Sequence, residues 1–155
     1  MVQQTASSAD TSTPVPAGNA SSGAKVLVID DSNTIRRSAE IFLRQGGHEV
    51  VLAEDGFDAL AKVNDHAPEL IFCDILMPRL DGYQTCAIIK RNPRFAHVPV
   101  IMLSSKDGLF DKARGRMVGS QDYLTKPFTK EQLLRAVQQF RPTPAAGDAA
   151  TNTTS

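Results

Sequence analysis

The chain has 155 residues, of which 41% are hydrophobic, enough for one domain with an ordinary core. Seventeen basic residues balance seventeen acidic ones, so no global field draws the protein toward nucleic acid or anionic lipid, and any recognition must be local. Cys73 and Cys86 lie outside any C-x-x-C or zinc-like spacing and are expected as free core thiols; no run of 18 apolar residues occurs, so no membrane insertion is expected.

Residues 1–23 are mostly Ser, Thr, Ala, Pro, Gln and Gly, too poor in apolar surface to offset the entropy of ordering them, and are expected as a disordered tail. Residues 142–155 have the same character. The folded unit is therefore expected over 24–141. Neither a basic start nor an apolar stretch of a secretion signal opens the chain, which with the unpaired thiols leads to the expectation of a cytoplasmic, reducing location.

In chain order, KVLVID reads as a first strand ending at Asp30. The helix after it carries Ile35, Ala39, Phe42 and Leu43 on one stripe and stops at Gly46-Gly47. HEVVLA is the second strand, AEDG a turn, and FDALAKV the second helix. ELIFCD is a third strand, apolar without alternation, as strands buried on both faces of a sheet read. A loop with Pro78 and Asp81-Gly82 leads to a helix carrying Tyr83, Cys86 and Ala87, which Asn92-Pro93 ends. VPVIMLSS is the fourth strand, LFDKARGRMVG a weaker fourth helix, and DYL a short fifth strand running into Lys126-Pro127. Thr129 and Gln132 form a capping-box pattern opening the last helix, whose inner face is Leu133, Val137 and Phe140. Strands alternating with helices through short connections predict an open α/β fold: a doubly wound, five-stranded parallel sheet covered on both sides by five helices.

In such sheets chemistry collects beyond the carboxyl ends of the strands. Strand one ends in Asp30-Asp31, strand three in Asp74 and strand four in Ser104-Ser105, while strand five leads to Lys126. If strand two lies at an edge, these four ends form one rim. Three carboxylates so close repel unless a cation is present, and an all-oxygen set with few carboxylates suits Mg²⁺. Lys126 adds an ammonium able to pair with Asp74 or with a phosphate oxygen. Asp74 is thereby kept ionised and nucleophilic, able to form an acyl phosphate.

Singly, these residues have blander readings: a turn or N-cap Asp, a capping Ser, an N-cap at Asp30-Asp31-Ser32. Their placement at four strand ends is what favours a phosphoacceptor. Competing functions are an aspartyl-phosphate phosphatase or mutase, a nucleotide-binding protein, and a partner-binding domain that is never phosphorylated. Leu76 stands where haloacid-type enzymes carry a second acid, and no glycine-rich phosphate loop follows the first strand.

VLVIDDS, IFCDILMPRLDG, VIMLSS and YLTKPF resemble the signature segments of response-regulator receiver domains, and the resemblance covers residues 25 to 141. It implies the flavodoxin-like receiver fold with strand order 2-1-3-4-5. DGFDALAKV, PRLDGYQTCAIIKRNP and SSKDGLFDKARGRMVGSQDYLTKPF further resemble single-domain receivers of the chemosensory pathway that controls type IV pili and twitching motility. The resemblance implies that Asp74 accepts phosphate from a histidine kinase or its phosphotransfer domain. It implies Mg²⁺ held by Asp31, Asp74 and the backbone carbonyl of Leu76, with Asp30 acting through water. Ser104 would be the switch hydroxyl, Lys126 the cation that reports the phosphoryl group, and Tyr123 the switch aromatic. Pro127 is expected to follow a cis bond. The downstream protein effector would meet the face made by the fourth helix, fifth strand and fifth helix, with no DNA binding. Leu76 and Lys106 occupy the positions that tune dephosphorylation, and a leucine cannot orient an attacking water, so slow self-hydrolysis is expected. Ser105 is small and should leave the pocket open to small donors. Lys112, Arg114 and Arg116 read as solvating their helix, with a partner surface as the alternative, Met102, Leu103 and Met117 as core, and His48, His66 and His97 as surface or loop residues.

Overall fold

A computed structural model describes residues 23–105 and 111–141. Its elements are β1 Lys25–Ile29, α1 Asn33–Gln45, β2 Glu49–Ala53, α2 Gly56–His66, β3 Leu70–Asp74, α3 Gly82–Arg91, β4 Val100–Ser104, α4 Lys112–Val118, β5 Asp122–Thr125 and α5 Lys130–Phe140. The five strands form one parallel sheet in the order β2-β1-β3-β4-β5, which is 2-1-3-4-5 as expected. The order in which successive strands are added reverses between β1 and β3, so the ends of these two strands flank the crevice where ligands gather in open sheets.

Alternate residues of each strand feed two separate cores. Leu27, Ile29, Ile71, Cys73, Val100 and Met102 face Ala59 and Val63 of α2 and Cys86 and Ile89 of α3. Val26, Val28, Leu70, Phe72, Ile101 and Leu103 face Ala39 and Leu43 of α1 and Leu133 and Val137 of α5. Because both faces are covered, β3 and β4 are buried at every position, which is why their sequences lack alternation. Each fully buried Leu, Ile or Phe contributes about 1.5–3 kcal/mol, so this double core fixes the strand ends that carry the polar groups.

Local signals set the helix ends. The Ser32 hydroxyl accepts from Ile35 N and starts α1. The box at the head of α5 is complete: the Thr129 hydroxyl accepts from Gln132 N (3.1 Å), and Thr129 N donates to the Gln132 side chain (2.9 Å). An equivalent box of Asp81 and Gln84 opens α3, within what the sequence reads as loop. α4 begins at Lys112, N-capped by Asp111; the expected start at Leu109 lies outside the described residues. Met117, expected in the core, is 85% exposed, because this short helix turns only Gly115 fully inward. Cys73 and Cys86 are buried and unpaired, as expected.

Candidate functional site

Asp30 lies one residue past the end of β1, and Asp74 is the last residue of β3. The parallel pairing of β1 with β3 sets these ends side by side. Asp30 is 0% exposed and Asp74 2% exposed, whereas Asp31 faces solvent. One carboxylate oxygen from each of the three lies within 4.8 Å of the others. The Asp30 carboxylate also accepts from Ser32 N (2.9 Å), which orients it, and Arg36 of α1 donates to the Asp30 carbonyl.

Lys126 enters from the far edge. Its backbone N donates to the Ser104 carbonyl (2.7 Å), tying the chain after β5 to the end of β4, and the Lys126–Pro127 bond is cis, as expected. The Lys126 ammonium donates to Asp74 Oδ1 (3.0 Å) and Asp30 Oδ2 (3.2 Å). Four residues spread over 96 positions of sequence thus meet in one notch.

The charges there are unevenly balanced. Burial, and secondly the charge of Asp30, push the Asp74 carboxyl up from 3.8 to about 7, against the pull of the Lys126 hydrogen bond. Burial lowers the Lys126 ammonium, but the hydrogen bond to Asp74 and the charge of Asp30 outweigh it and leave Lys126 raised and protonated. One ammonium therefore does not fully neutralise the acidic set. An added hard cation fits this donor chemistry, since every available ligand is oxygen and Asp31 leaves the site open to solvent.

Ser104 ends β4 beside this notch, 4% exposed, with its hydroxyl donating to the Ser105 carbonyl (3.3 Å). Leu76, just beyond β3, is 67% exposed and presents a bare apolar side chain by the opening. Tyr123 sits half-buried on β5 with the Lys112 ammonium 6.0 Å from its ring centroid. It is not brought into the acid cluster. Lys106 lies outside the described residues.

The loop after Asp74 folds back on itself: Gly82 N donates to the Ile75 carbonyl (2.8 Å). A Cβ on Gly82 would come within 2.3 Å of the Asp74 carbonyl, so only glycine permits this return. At its other end the same loop grips α4. Arg114 pairs with Asp81 (3.6 Å) and stacks on Tyr83 (4.4 Å), and the Tyr83 hydroxyl accepts from Asp111 N (3.0 Å). Arg114 is therefore a packing residue of the α3–α4 junction, where the sequence reads a solvating cation or part of a partner surface. No local pattern announces this, because Asp81 and Arg114 are separated by an intervening helix and strand.

The sequence profile of the response regulator receiver domain matches residues 26–138. The chain belongs to this family. Over 122 residues the receiver is 66% identical to Protein PilG of Pseudomonas aeruginosa, covering 79% of this chain and 90% of that one. Protein PilH of the same organism is 36% identical over 114 residues, covering 74% of this chain and 94% of its own. Among solved structures, the Vibrio cholerae chemotaxis protein CheY4 superposes with a TM-score of 0.73 at 34% identity, covering 77% of this receiver and 99% of that chain. Among the described residues no helix is long and apolar enough to cross a membrane.

Proposed function

We propose that this receiver is a phosphorylation switch in which Asp74 takes a phosphoryl group from the phosphohistidine of a histidine kinase or its phosphotransfer domain. The observation that carries the reading is the meeting of Asp30, Asp31, Asp74 and Lys126 in one notch at the sheet's crevice. An Asp74 carboxylate oxygen attacks phosphorus as the bond to the histidine nitrogen breaks, and the imidazole leaves with the electron pair and takes up a proton. Lys126, already protonated and within reach of Asp74, neutralises the oxygens of the arriving group.

Asp31 and Asp74, with the Leu76 carbonyl, would hold Mg²⁺, and Asp30 would act through water. When bound, the metal would supply charge neutralisation for the transferred group and ease the Asp30 repulsion that adds to burial in raising Asp74. Ser104 is the proposed switch hydroxyl. Its present bond is to a neighbouring backbone carbonyl, which it can exchange for a phosphoryl oxygen. Tyr123 then reports the change to the α4-β5-α5 face, where a downstream protein effector docks without DNA binding. The folded unit is proposed as 24–141, in the cytoplasm, and the 66% identity to PilG supports a role in type IV pilus twitching motility; the segments 1–22 and 142–155, expected as tails, lie outside the described residues. Leu76 offers no polar group to aim a water at the acyl phosphate, so phosphate loss without a partner is slow, with Lys106 as the second tuning position.

Incubation of the purified chain with Mg²⁺ and acetyl phosphate, or with a phosphorylated kinase, should give an acid-stable, base-labile phosphate that Asp74→Asn lacks. Turnover of many phosphate esters would instead mark an enzyme. Self-hydrolysis within seconds would contradict the assignment of Leu76.

A further inference from the structure

The phosphoacceptor notch leaves a second concave surface unused. It is a groove of about 310 Å³ between α3 and α4, whose lining includes Leu80, Ala87, Ile88 and Val118 together with Arg91 and Arg114. Ile88 is 37% exposed there, beside the inward-facing Ile89. The groove is already held in shape. Besides the Tyr83, Asp81 and Asp111 contacts to α4, the Cys86 thiol of α3 donates to the Val118 carbonyl (3.4 Å). A partner entering it spends little on ordering the receptor.

The two helices themselves carry charge of one sign, although Asp81 and Asp111 cap their first turns. α3 and α4 together carry Lys90, Arg91, Lys112, Arg114 and Arg116 and not one carboxylate, in a chain whose net charge is zero. Lys90 is turned into backbone carbonyls of Ala96 and Val98, and Arg114 is shared with Asp81. Arg91 is exposed, and among the described residues it forms no ion pair. An apolar floor between guanidinium groups is complementary to a helix with an apolar stripe flanked by carboxylates. Single-stranded nucleic acid fits less well, because the one aromatic face in the groove, Tyr83, is already covered by Arg114.

We propose that the α3–α4 groove docks an acidic amphipathic helix of a partner protein, its apolar side chains on Ile88, Ala87, Leu80 and Val118 and its carboxylates on Arg91 and Arg114. The surface is separate from the acceptor residues, so the inference stands or falls independently of phosphorylation.

The test is an NMR titration of the isotope-labelled full chain with a synthetic helical peptide bearing Leu at i, i+4 and i+7 and Glu on the flanking positions. Parallel arms use the same peptide with Lys for Glu, a single-stranded oligonucleotide, and vesicles of mixed neutral and anionic phospholipid. The expected result is shifts at Ala87, Ile88, Arg91 and Val118 with the Glu peptide, and affinity for the Lys peptide lower by roughly tenfold or more. Arg91→Glu should weaken the Glu peptide by about tenfold, and Ile88→Asp, at an exposed position that leaves the rest of the spectrum unchanged, should do the same. Absence of groove shifts at millimolar peptide would overturn the proposal, as would equal affinity for both peptides, indifference to Arg91→Glu, or tighter binding of oligonucleotide or vesicles.

Discussion

A buried carboxylate beside another carboxylate is a poor choice for stability, and Asp74 shows the cost in its proton affinity. Its carboxyl, raised from 3.8 to about 7, binds a proton more tightly in the folded chain than in the unfolded one. The folded state therefore carries the extra proton between those values. The stability from this group is present at low pH and is lost as pH rises toward about 7, the reverse of a salt-bridged carboxylate whose value is depressed. Asp74→Asn removes the penalty while leaving Lys126 its bond to Asp30. In metal-free buffer at pH 8 the variant should be more stable than the parent, by an amount on the order of 1–3 kcal/mol, with the gap narrowing as pH falls below about 7 and closing only near pH 3.8. Thermal unfolding followed at both pH values checks this, and a lower midpoint for the variant at pH 8 would contradict it. Asp30, Asp31, Asp74 and Lys126 were legible in sequence because strand ends are easy to place and parallel sheets gather them. What the residues do not show singly is burial: nothing in the letters tells that Asp30 and Asp74 are covered while Asp31 is open.

At the scale of the element, the loop from β3 to α3 links Asp74 to the rest of the molecule. Gly82→Ala would drive a methyl against the Asp74 carbonyl, and the backbone at the end of β3 must shift. Such overpacking costs about 1–3 kcal/mol. The expected outcome is a chain that still folds, with a lower unfolding midpoint in urea and slower labelling by acetyl phosphate; unchanged labelling would show that the loop does not set the acceptor. Loss of the Thr129 cap by Thr129→Ala should cost about 1 kcal/mol, read as a lower urea midpoint; an unchanged midpoint would show that the cap does not hold α5. Helix starts differ in legibility for a physical reason. The box of Thr129 and Gln132 precedes a clear apolar stripe, whereas that of Asp81 and Gln84 is embedded in a loop rich in turn residues. The end of α2 lacks the glycine signal, because Ala67 takes the left-handed conformation (φ 47°) usually given to glycine, and only Pro68 just beyond it marks the stop. Met117 misleads for the opposite reason: hydrophobicity suggests burial, but α4 is too short to present a full inner stripe.

For the whole molecule, two-faced burial makes the strand pattern easy to read, and the periodicity of the helices settles the layers. Distribution of charge is less accessible. A net charge of zero conceals five cations on α3 and α4, because the compensating acids belong to other elements. The clasp of Asp81, Tyr83 and Arg114 joins segments that meet only after the sheet has formed. Cation binding at the acidic notch should stabilise the entire fold by mass action, by about 2.7 kcal/mol at a hundredfold excess over the dissociation constant. Mg²⁺ should accordingly raise the melting temperature of the parent chain and not that of Asp31→Asn. Equal gains in both would remove Asp31 from the metal site. The central claim is that one side chain, Asp74, is the acceptor and that it works through the notch around it. Its most direct test is mass spectrometry of the full chain after exposure to acetyl phosphate with and without Mg²⁺. The account predicts a single Mg²⁺-dependent phosphoryl adduct, mapped to Asp74 and absent from Asp74→Asn. An adduct on another residue, or one that persists in the variant or forms equally well without the metal, would contradict it.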